Sequence, residues 1–160
     1  EPSPTNRRMP LKFLLLLPMV ILGGGSGGLG IFTFQYANGT SYFSNDSNAC
    51  ANCHVMQGHL DAWAKSSHGK FAQCNDCHAP HDLVGKYYCK SRNGFFHSLA
   101  FTTGDFPDHI LMHDYNRGVV EQNCLNCHVD FVHAVTSSAL GNAGSVSCLH
   151  CHRSVGHDTP

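Results

Sequence analysis

Four copies of the pattern Cys-x-x-Cys-His constrain this chain more than any other feature of its sequence. They start at Cys50, Cys74, Cys124 and Cys148, and we number them motifs 1 to 4. Two thiols on one local turn, followed by a histidine, are the attachment signature of a c-type haem whose iron takes the histidine as an axial ligand. The sequence therefore predicts four covalently bound haems. Their thioether bonds would be made by Cys50, Cys53, Cys74, Cys77, Cys124, Cys127, Cys148 and Cys151, and the motif histidines are His54, His78, His128 and His152.

The remaining cysteine and histidines bear on how these haems are completed. Cys89 is the one cysteine outside the motifs, and we expect it to be a small buried apolar residue. Nine further histidines are available as second axial ligands, which favours haems with two histidine ligands. They are His59, His68, His81, His97, His109, His113, His133, His150 and His157.

An uncharged apolar segment precedes the motifs. Residues 13–34 carry no charge, and 22 residues of helix at about 1.5 Å each would cross a hydrocarbon core of about 30 Å. Arg7, Arg8 and Lys12 come before it, so the positive-inside rule puts the N-terminus in the cytoplasm. A cleaved signal peptide is the rival interpretation, but its apolar region is usually only about 7–15 residues long.

We therefore predict a single-pass protein of the bacterial inner membrane with three regions. Residues 1–12 would be cytoplasmic, 13–35 the transmembrane anchor and 36–160 a periplasmic tetrahaem domain. Motif 1 follows the apolar segment closely in sequence, which predicts that its haem lies near the lipid surface. Glycines such as Gly23 and Gly27 form small-xxx-small pairs, which either let the anchor associate with another helix or are merely a tolerated flexible stretch.

The soluble region shows little regular periodicity. Short helices are predicted over Leu60–Ser67 and Val84–Ser91, and turns or loops at residues 106–108 and 141–144. No alternation typical of a sheet occurs. The expected fold class is mainly α with much irregular structure, in which the haems themselves form the core. The formal net charge is −1 without a basic stripe, which gives no support to nucleic-acid binding.

The first motif carries a further signal, because Met56 follows His54 by two residues. One anchor, four motifs, this Cys-x-x-Cys-His-x-Met and the run Cys74-Asn-Asp-Cys77-His78-Ala79-Pro80-His81 together resemble the membrane-anchored tetrahaem quinol dehydrogenases of the NapC/NrfH family, the NrfH branch most of all. The resemblance implies that menaquinol is oxidised in the membrane. It also implies that a periplasmic multihaem reductase accepts the electrons, with an ammonia-forming nitrite reductase as the first expectation.

The same resemblance implies a set of axial ligands. Met56 would bind the iron of haem 1 in place of His54, although an ordinary apolar contact is the alternative for this methionine. His68 would close haem 3 and His157 would close haem 4. The sixth ligand of haem 2 would come from a lysine of the partner reductase, or else from this chain. In the second case the candidates are His81, His109, His113 and His133.

The resemblance also implies a quinol site near haem 1. Lys90 matches the lysine of the family pattern, and the acidic residue expected seven positions later is replaced by His97. His97 would therefore either accept a quinol proton, which suits its usual pKa of about 6.5, or ligate the iron of haem 1. An unengaged loop histidine is the third interpretation.

A second function remains open on the sequence alone. The protein would then be a tethered electron-wire module without a quinol site of its own, serving another multihaem oxidoreductase such as a hydroxylamine-oxidoreductase-like protein. A terminal reductase is disfavoured, because the expected position of haem 1 at the membrane conflicts with a haem site open to water.

Overall fold

Helices make up most of this protein. The computed structural model describes residues 10–139 and 147–157, and no strand occurs within these two ranges. The α-helices are α1 (Leu11–Tyr36), α2 (Gln57–Lys65), α3 (Cys74–His78), α4 (Leu83–Thr103), α5 (Asp114–Ala139) and α6 (Cys148–Cys151). Short 3-10 helices cover Gly39–Phe43, Ser47–Asn52 and His54–Met56. The predicted mainly helical fold class is confirmed.

The apolar segment forms the single helix α1, which runs without a break through Pro18. Its mean hydropathy over 18 residues is 1.8, and none of its residues is buried in the protein. The helix is thus long and apolar enough to cross a membrane, and it fits a single-pass anchor. Nothing lies within 4 Å of where a Cβ would stand on Gly23 or Gly27, so association through this stripe stays a prediction.

The described residues from Ser41 onward belong to a second compact unit. Its own apolar core is very small: Ala79, Cys89 and Val120 are the buried apolar side chains of the described residues. By contrast, large side chains such as Phe95 and Phe131 are more than 60% exposed. Burial of apolar surface is the main driving force of folding, so a unit with this few buried side chains needs another source of apolar contact.

Helix α4 is much longer than predicted. It begins where Asp82 accepts a hydrogen bond from the backbone N–H of Gly85 at 2.7 Å, and it ends at Gly104, whose φ of +71° reverses the chain. Only Val84–Ser91 was expected to be helical. The part of α4 beyond Ser91 carries exposed aromatic residues on all sides of the helix. Its sequence therefore lacks the one-sided apolar pattern that identifies an amphipathic helix.

Helix α5 is absent from the sequence-based expectation, although it is as long as α1. Its sequence combines polar residues with motif 3, so apolar residues do not recur at the spacing of one helical face. Helix α2 agrees with the helix predicted at Leu60–Ser67 to within a few residues. The loop at 106–108 is confirmed, whereas the loop predicted at 141–144 lies outside the described residues.

Candidate functional site

Three of the four motifs are built on α-helical turns. Motif 2 is helix α3, motif 3 lies within α5, and the cysteines of motif 4 bound α6. Positions i and i+3 are neighbours on a helical surface, so both thiols of each motif face the same side. This local structure lets the two sulfur atoms of one motif reach one porphyrin.

Motif 1 is different, because its backbone breaks in the middle. Cys50 lies in one 3-10 helix, Cys53 is extended with ψ of 112°, and His54 starts a second 3-10 helix. The side chain of His54 is exposed, whereas that of Met56 is half-buried. This arrangement supports Met56 as the axial ligand at motif 1, which stays a prediction.

The motifs contact one another in chain order. The thiols of Cys50 and Cys74 lie close enough to shift each other's pKa, and the thiol of Cys148 lies close enough to affect that of Cys124. Hydrogen bonds from the Cys74 N–H to the Ser47 hydroxyl at 3.1 Å and from the Cys148 N–H to Glu121 at 2.8 Å join the same regions. Between these two pairs, Cys77 of motif 2 lies close enough to Cys127 for their charges to interact. Motifs 1 to 4 therefore form one continuous series.

These contacts change the acidity of the free thiols. The hydrogen bond from Cys50 lowers the pKa of Cys74 to about 6, while the same bond, followed by burial, raises the pKa of Cys50. Burial, then the carboxylate of Glu121, raises the pKa of Cys148 to about 11. None of the nine cysteines forms a disulfide, and the described residues contain no group of three or more side chains arranged to hold a metal ion by themselves. The motif residues are thus available to haem and are not gathered as in a zinc site.

A pair of histidines supports a haem at motif 3. The ring centroids of His68 and His128 are 6.1 Å apart, with planes at 72°. An imidazole nitrogen binds a metal at about 2 Å, so two histidines on opposite sides of one iron have centroids roughly 6 Å apart. His128 is the motif 3 histidine, and His68 was the predicted distal ligand for that haem. The separation therefore fits the prediction.

A second pair lies at motif 2. The ring centroids of His78 and His157 are 6.0 Å apart with their planes at 13°, and the ring of His59 lies edge to face with that of His157 at 5.0 Å. Burial, then the neighbouring His157 and His59, lowers the pKa of His78 to about 4. The Nδ1 atom of His157 is buried without a hydrogen-bond partner.

These ring contacts group His157 with motif 2, whereas the resemblance assigned it to the haem of motif 4. Sequence reasoning counted His59 among the available ligands but assigned it to no haem, although it follows His54 by five residues just as His157 follows His152. Another sequence candidate for haem 2 is engaged elsewhere, since the Nε2 atom of His81 lies 3.0 Å from the carbonyl oxygen of Asp76.

The predicted quinol residues lie on helix α4. Lys90, Gly94 and His97 follow the i, i+4, i+7 spacing of one helical face. The ammonium of Lys90 donates to the Ser44 carbonyl at 2.5 Å, and this carbonyl also accepts from Asn75 at 3.2 Å. Burial, then the charge of Lys86, lowers the pKa of Lys90. Lys90 is thus tied to the backbone just ahead of motif 1.

Tyr42 completes this face and was not predicted. A Cβ on Gly94 would stand 3.3 Å from the Tyr42 ring, so the glycine allows the ring to lie close to α4. Burial, then the charges of Cys53 and Cys50, raises the pKa of Tyr42. On the same helix, burial, then the charge of His113, lowers the pKa of His97.

Asn123 joins motif 3 to motif 2. Its buried side-chain amide donates to the carbonyl oxygens of Cys77 and Ala79, both at 2.9 Å. Helix α5 is thereby fixed against the turn that carries His78. The amide oxygen accepts a bond from Asn126 at 3.2 Å.

We expect Asn123→Ala to lower the free energy of unfolding by about 2 kcal/mol, because two carbonyl groups lose their donor. Guanidinium unfolding of the purified protein, followed by circular dichroism, measures the loss. Gln122→Ala, an exposed neighbour on the same helix, is the control and should stay within about 0.5 kcal/mol of the unchanged protein. Equal effects of the two variants would contradict the role given to Asn123.

Comparison with known proteins identifies the family. The NapC/NirT cytochrome c family, N-terminal region, matches residues 11–109, which include α1, motifs 1 and 2 and α4. The chain belongs to the NapC/NirT cytochrome c family. Membership in this family bears out the predicted resemblance, and it implies covalently bound c-type haem. The motif cysteines, none of which is in a disulfide, and the two histidine pairs at 6.0 and 6.1 Å fit that cofactor.

Individual members of the NapC/NirT family align along most of the chain. It is 34% identical to the cytochrome c-type protein NrfH of Wolinella succinogenes, over 91% of this chain and 87% of that protein. It is 31% identical to the cytochrome c nitrite reductase subunit NrfH of Nitratidesulfovibrio vulgaris, over 86% and 82%. The fold matches a chain in the crystal structure of the cytochrome c nitrite reductase NrfHA complex bound to the HQNO inhibitor. That match has a TM-score of 0.59, 30% identity and coverage of 84% of this chain and 87% of the other.

Proposed function

We propose that the protein is a membrane-anchored quinol dehydrogenase that binds four haems, oxidises menaquinol and passes the electrons to a periplasmic, ammonia-forming nitrite reductase. One observation carries the proposal: hydrogen bonds join the motifs in a continuous series, from Lys90 and Ser44 just ahead of motif 1 to Cys148 of motif 4. A related chain is known from a complex with cytochrome c nitrite reductase and the inhibitor HQNO. When bound, the haems supply one-electron acceptors and donors.

The quinol end of the series is proposed at the face of α4 that bears Lys90. Oxidation of a quinol releases two protons with two electrons, so the site must hold the quinol oxygen and accept protons. The ammonium of Lys90 donates to a carbonyl oxygen of Ser44 and would donate to a quinol oxygen in the same way. The hydroxyl of Tyr42 is a second polar group at this face. His97 is either the proton acceptor or an iron ligand.

The reductase end is proposed at motif 4. The 6.0 Å ring separation supports His157 as the second ligand at motif 2. If a side chain of the partner completes one haem, it then serves motif 4, which is the last of the series. Cys50 follows the end of α1 by 14 residues, and the basic residues ahead of α1 favour a periplasmic haem domain.

Purified full-length protein mixed with a menaquinol analogue tests the proposal. We expect rapid reduction of the haems, block of that reduction by a quinone-site inhibitor, and copurification of a nitrite reductase from native membranes. Reduction by a protein donor alone, with no response to the quinol, would favour the tethered electron wire. Copurification of a different multihaem oxidoreductase would overturn the choice of partner.

The two roles of His97 give opposite results in one variant. If His97 ligates iron, His97→Ala removes one low-spin haem signal from the electron paramagnetic resonance spectrum and replaces it with a high-spin signal. If His97 accepts a proton, the spectrum is unchanged and the rate of menaquinol oxidation falls roughly tenfold or more. Ser98→Ala, an exposed neighbour on α4, is the matched control, and neither readout should change in it. A variant with unchanged spectrum and unchanged rate would exclude both roles.

A further inference from the structure

Glu121 holds motif 4 through three hydrogen bonds. Its carboxylate accepts from the backbone N–H of Cys148 at 2.8 Å, from that of Leu149 at 3.2 Å, and from the hydroxyl of Ser147. Glu121 belongs to α5 and lies one turn before Cys124, the first cysteine of motif 3. A single side chain thus joins the helix of motif 3 to the first turn of motif 4.

This contact is unusual because the cap comes from another helix. Helix α6 starts after Ser147, whose own side chain makes no capping bond to the helix. The backbone N–H groups of its first turn donate instead to the carboxylate of Glu121, which lies 27 residues before Cys148 in the sequence. An anion at a helix start is favoured, and a carboxylate that accepts several N–H bonds stays ionised.

The charge of Glu121 acts on both neighbouring motifs. Burial tends to raise its pKa, but the bonds from Ser147, Cys148 and Leu149 outweigh that effect and hold the pKa below its usual value. The negative charge in turn contributes to raised pKa values at Cys148 and, more weakly, at Cys124. A fixed negative charge at this position favours the oxidised form of an iron centre nearby, because ferric haem carries one more positive charge than ferrous haem.

We propose that Glu121 is a positioning residue that fixes motif 4 against motif 3 and lowers the reduction potential of the haem attached to Cys148 and Cys151. Glu121 would thereby influence how readily the haem at motif 4, the last of the series, is reduced. The inference rests on the proposed attachment of a haem at motif 4.

The test is an optical redox titration of the full-length protein, fitted to four one-electron components. In Glu121→Gln the charge is lost while the side chain keeps its size and one acceptor. We expect one component to move to higher potential, by an amount equal to a three- to tenfold change in its reduced-to-oxidised ratio, where tenfold is 59 mV for one electron. Glu121→Asp keeps the charge, and its potentials should stay near those of the unchanged protein.

Asp108→Asn is the control for net charge, because Asp108 is an exposed carboxylate in the loop before α5. No upward shift in Glu121→Gln beyond that of Asp108→Asn would overturn the proposal, and so would equal shifts in Glu121→Gln and Glu121→Asp. Loss of the motif 4 haem from Glu121→Gln would also overturn it, since the residue would then act in attachment. Peptide mass spectrometry of the unchanged protein separates these results from a failure of the proposed function, which would show as a Cys148–Cys151 peptide without haem.

Discussion

Replacing His157 by alanine is expected to convert one low-spin haem to a high-spin haem without changing the number of haems attached. The ring centroids of His157 and His78 are 6.0 Å apart, which is the separation expected of two histidines on one iron. Removal of one ring leaves that iron without its sixth protein ligand. Electron paramagnetic resonance measures the change in spin state, and mass spectrometry counts the haems.

The control and the assignment need separate measurements. Ser154→Ala replaces an exposed side chain three residues before His157 and should leave the spectrum unchanged. Because ligation at motif 4 would give the same loss of low-spin signal, a cryo-electron microscopy map of the unchanged protein must show which iron the His157 ring approaches. An unchanged spectrum in His157→Ala, or density joining this ring to the iron beside His152, would contradict the pairing with motif 2.

Replacing Lys90 by alanine is expected to lower kcat/KM for menaquinol oxidation 10- to 100-fold. Hydrogen bonds to a charged group contribute about 1.5–3 kcal/mol, and each 1.4 kcal/mol corresponds to a factor of ten. Reduction of the variant by dithionite, which needs no quinol site, should remain normal. The measurement is the rate of haem reduction after mixing with a menaquinol analogue in a stopped-flow instrument.

Lys65→Ala is the matched control for Lys90, because it removes an exposed lysine from the end of α2. Its rate should stay within a factor of two of the unchanged protein. If Lys90→Ala and Lys65→Ala react equally fast with the quinol, the site cannot lie at this face of α4. If Lys90→Ala instead loses haem, the residue acts in assembly, since its bond to Ser44 holds the segment that leads into motif 1.

The sequence predicted features that depend on short stretches of chain. The motif spacing, the length of the uncharged segment and the Met two residues after His54 are all local, and helix α1 and the family membership agree with them. The pairing of His157 with His78 was not predictable in this way, because it joins residues almost 80 positions apart. The spacing of a distal histidine from a motif does not tell which iron it approaches.

The polar contacts between motifs were missed for a related reason. Asn123 and Glu121 stand in a stretch of α5 where a polar residue looks like a solvent-exposed one. Their partners are backbone groups of motifs 2 and 4, and any sequence provides backbone groups. The length of helix α4 was underestimated because its exposed aromatic residues lie on all sides of the helix. The sequence there shows no single apolar face from which a helix could be recognised.

The scarcity of buried side chains in the haem-bearing unit has a consequence for how the protein is made. The described residues of this unit bury three apolar side chains, so we expect the chain to be far from compact before haem is attached. The Cys-x-x-Cys-His motifs would then be accessible while the thioether bonds form. Each attached haem would supply part of the interior for the next, so we expect an incompletely loaded chain to be sensitive to proteases. A defect in delivery of any one haem would then appear in the cell as missing protein, and not as a population of partly active molecules.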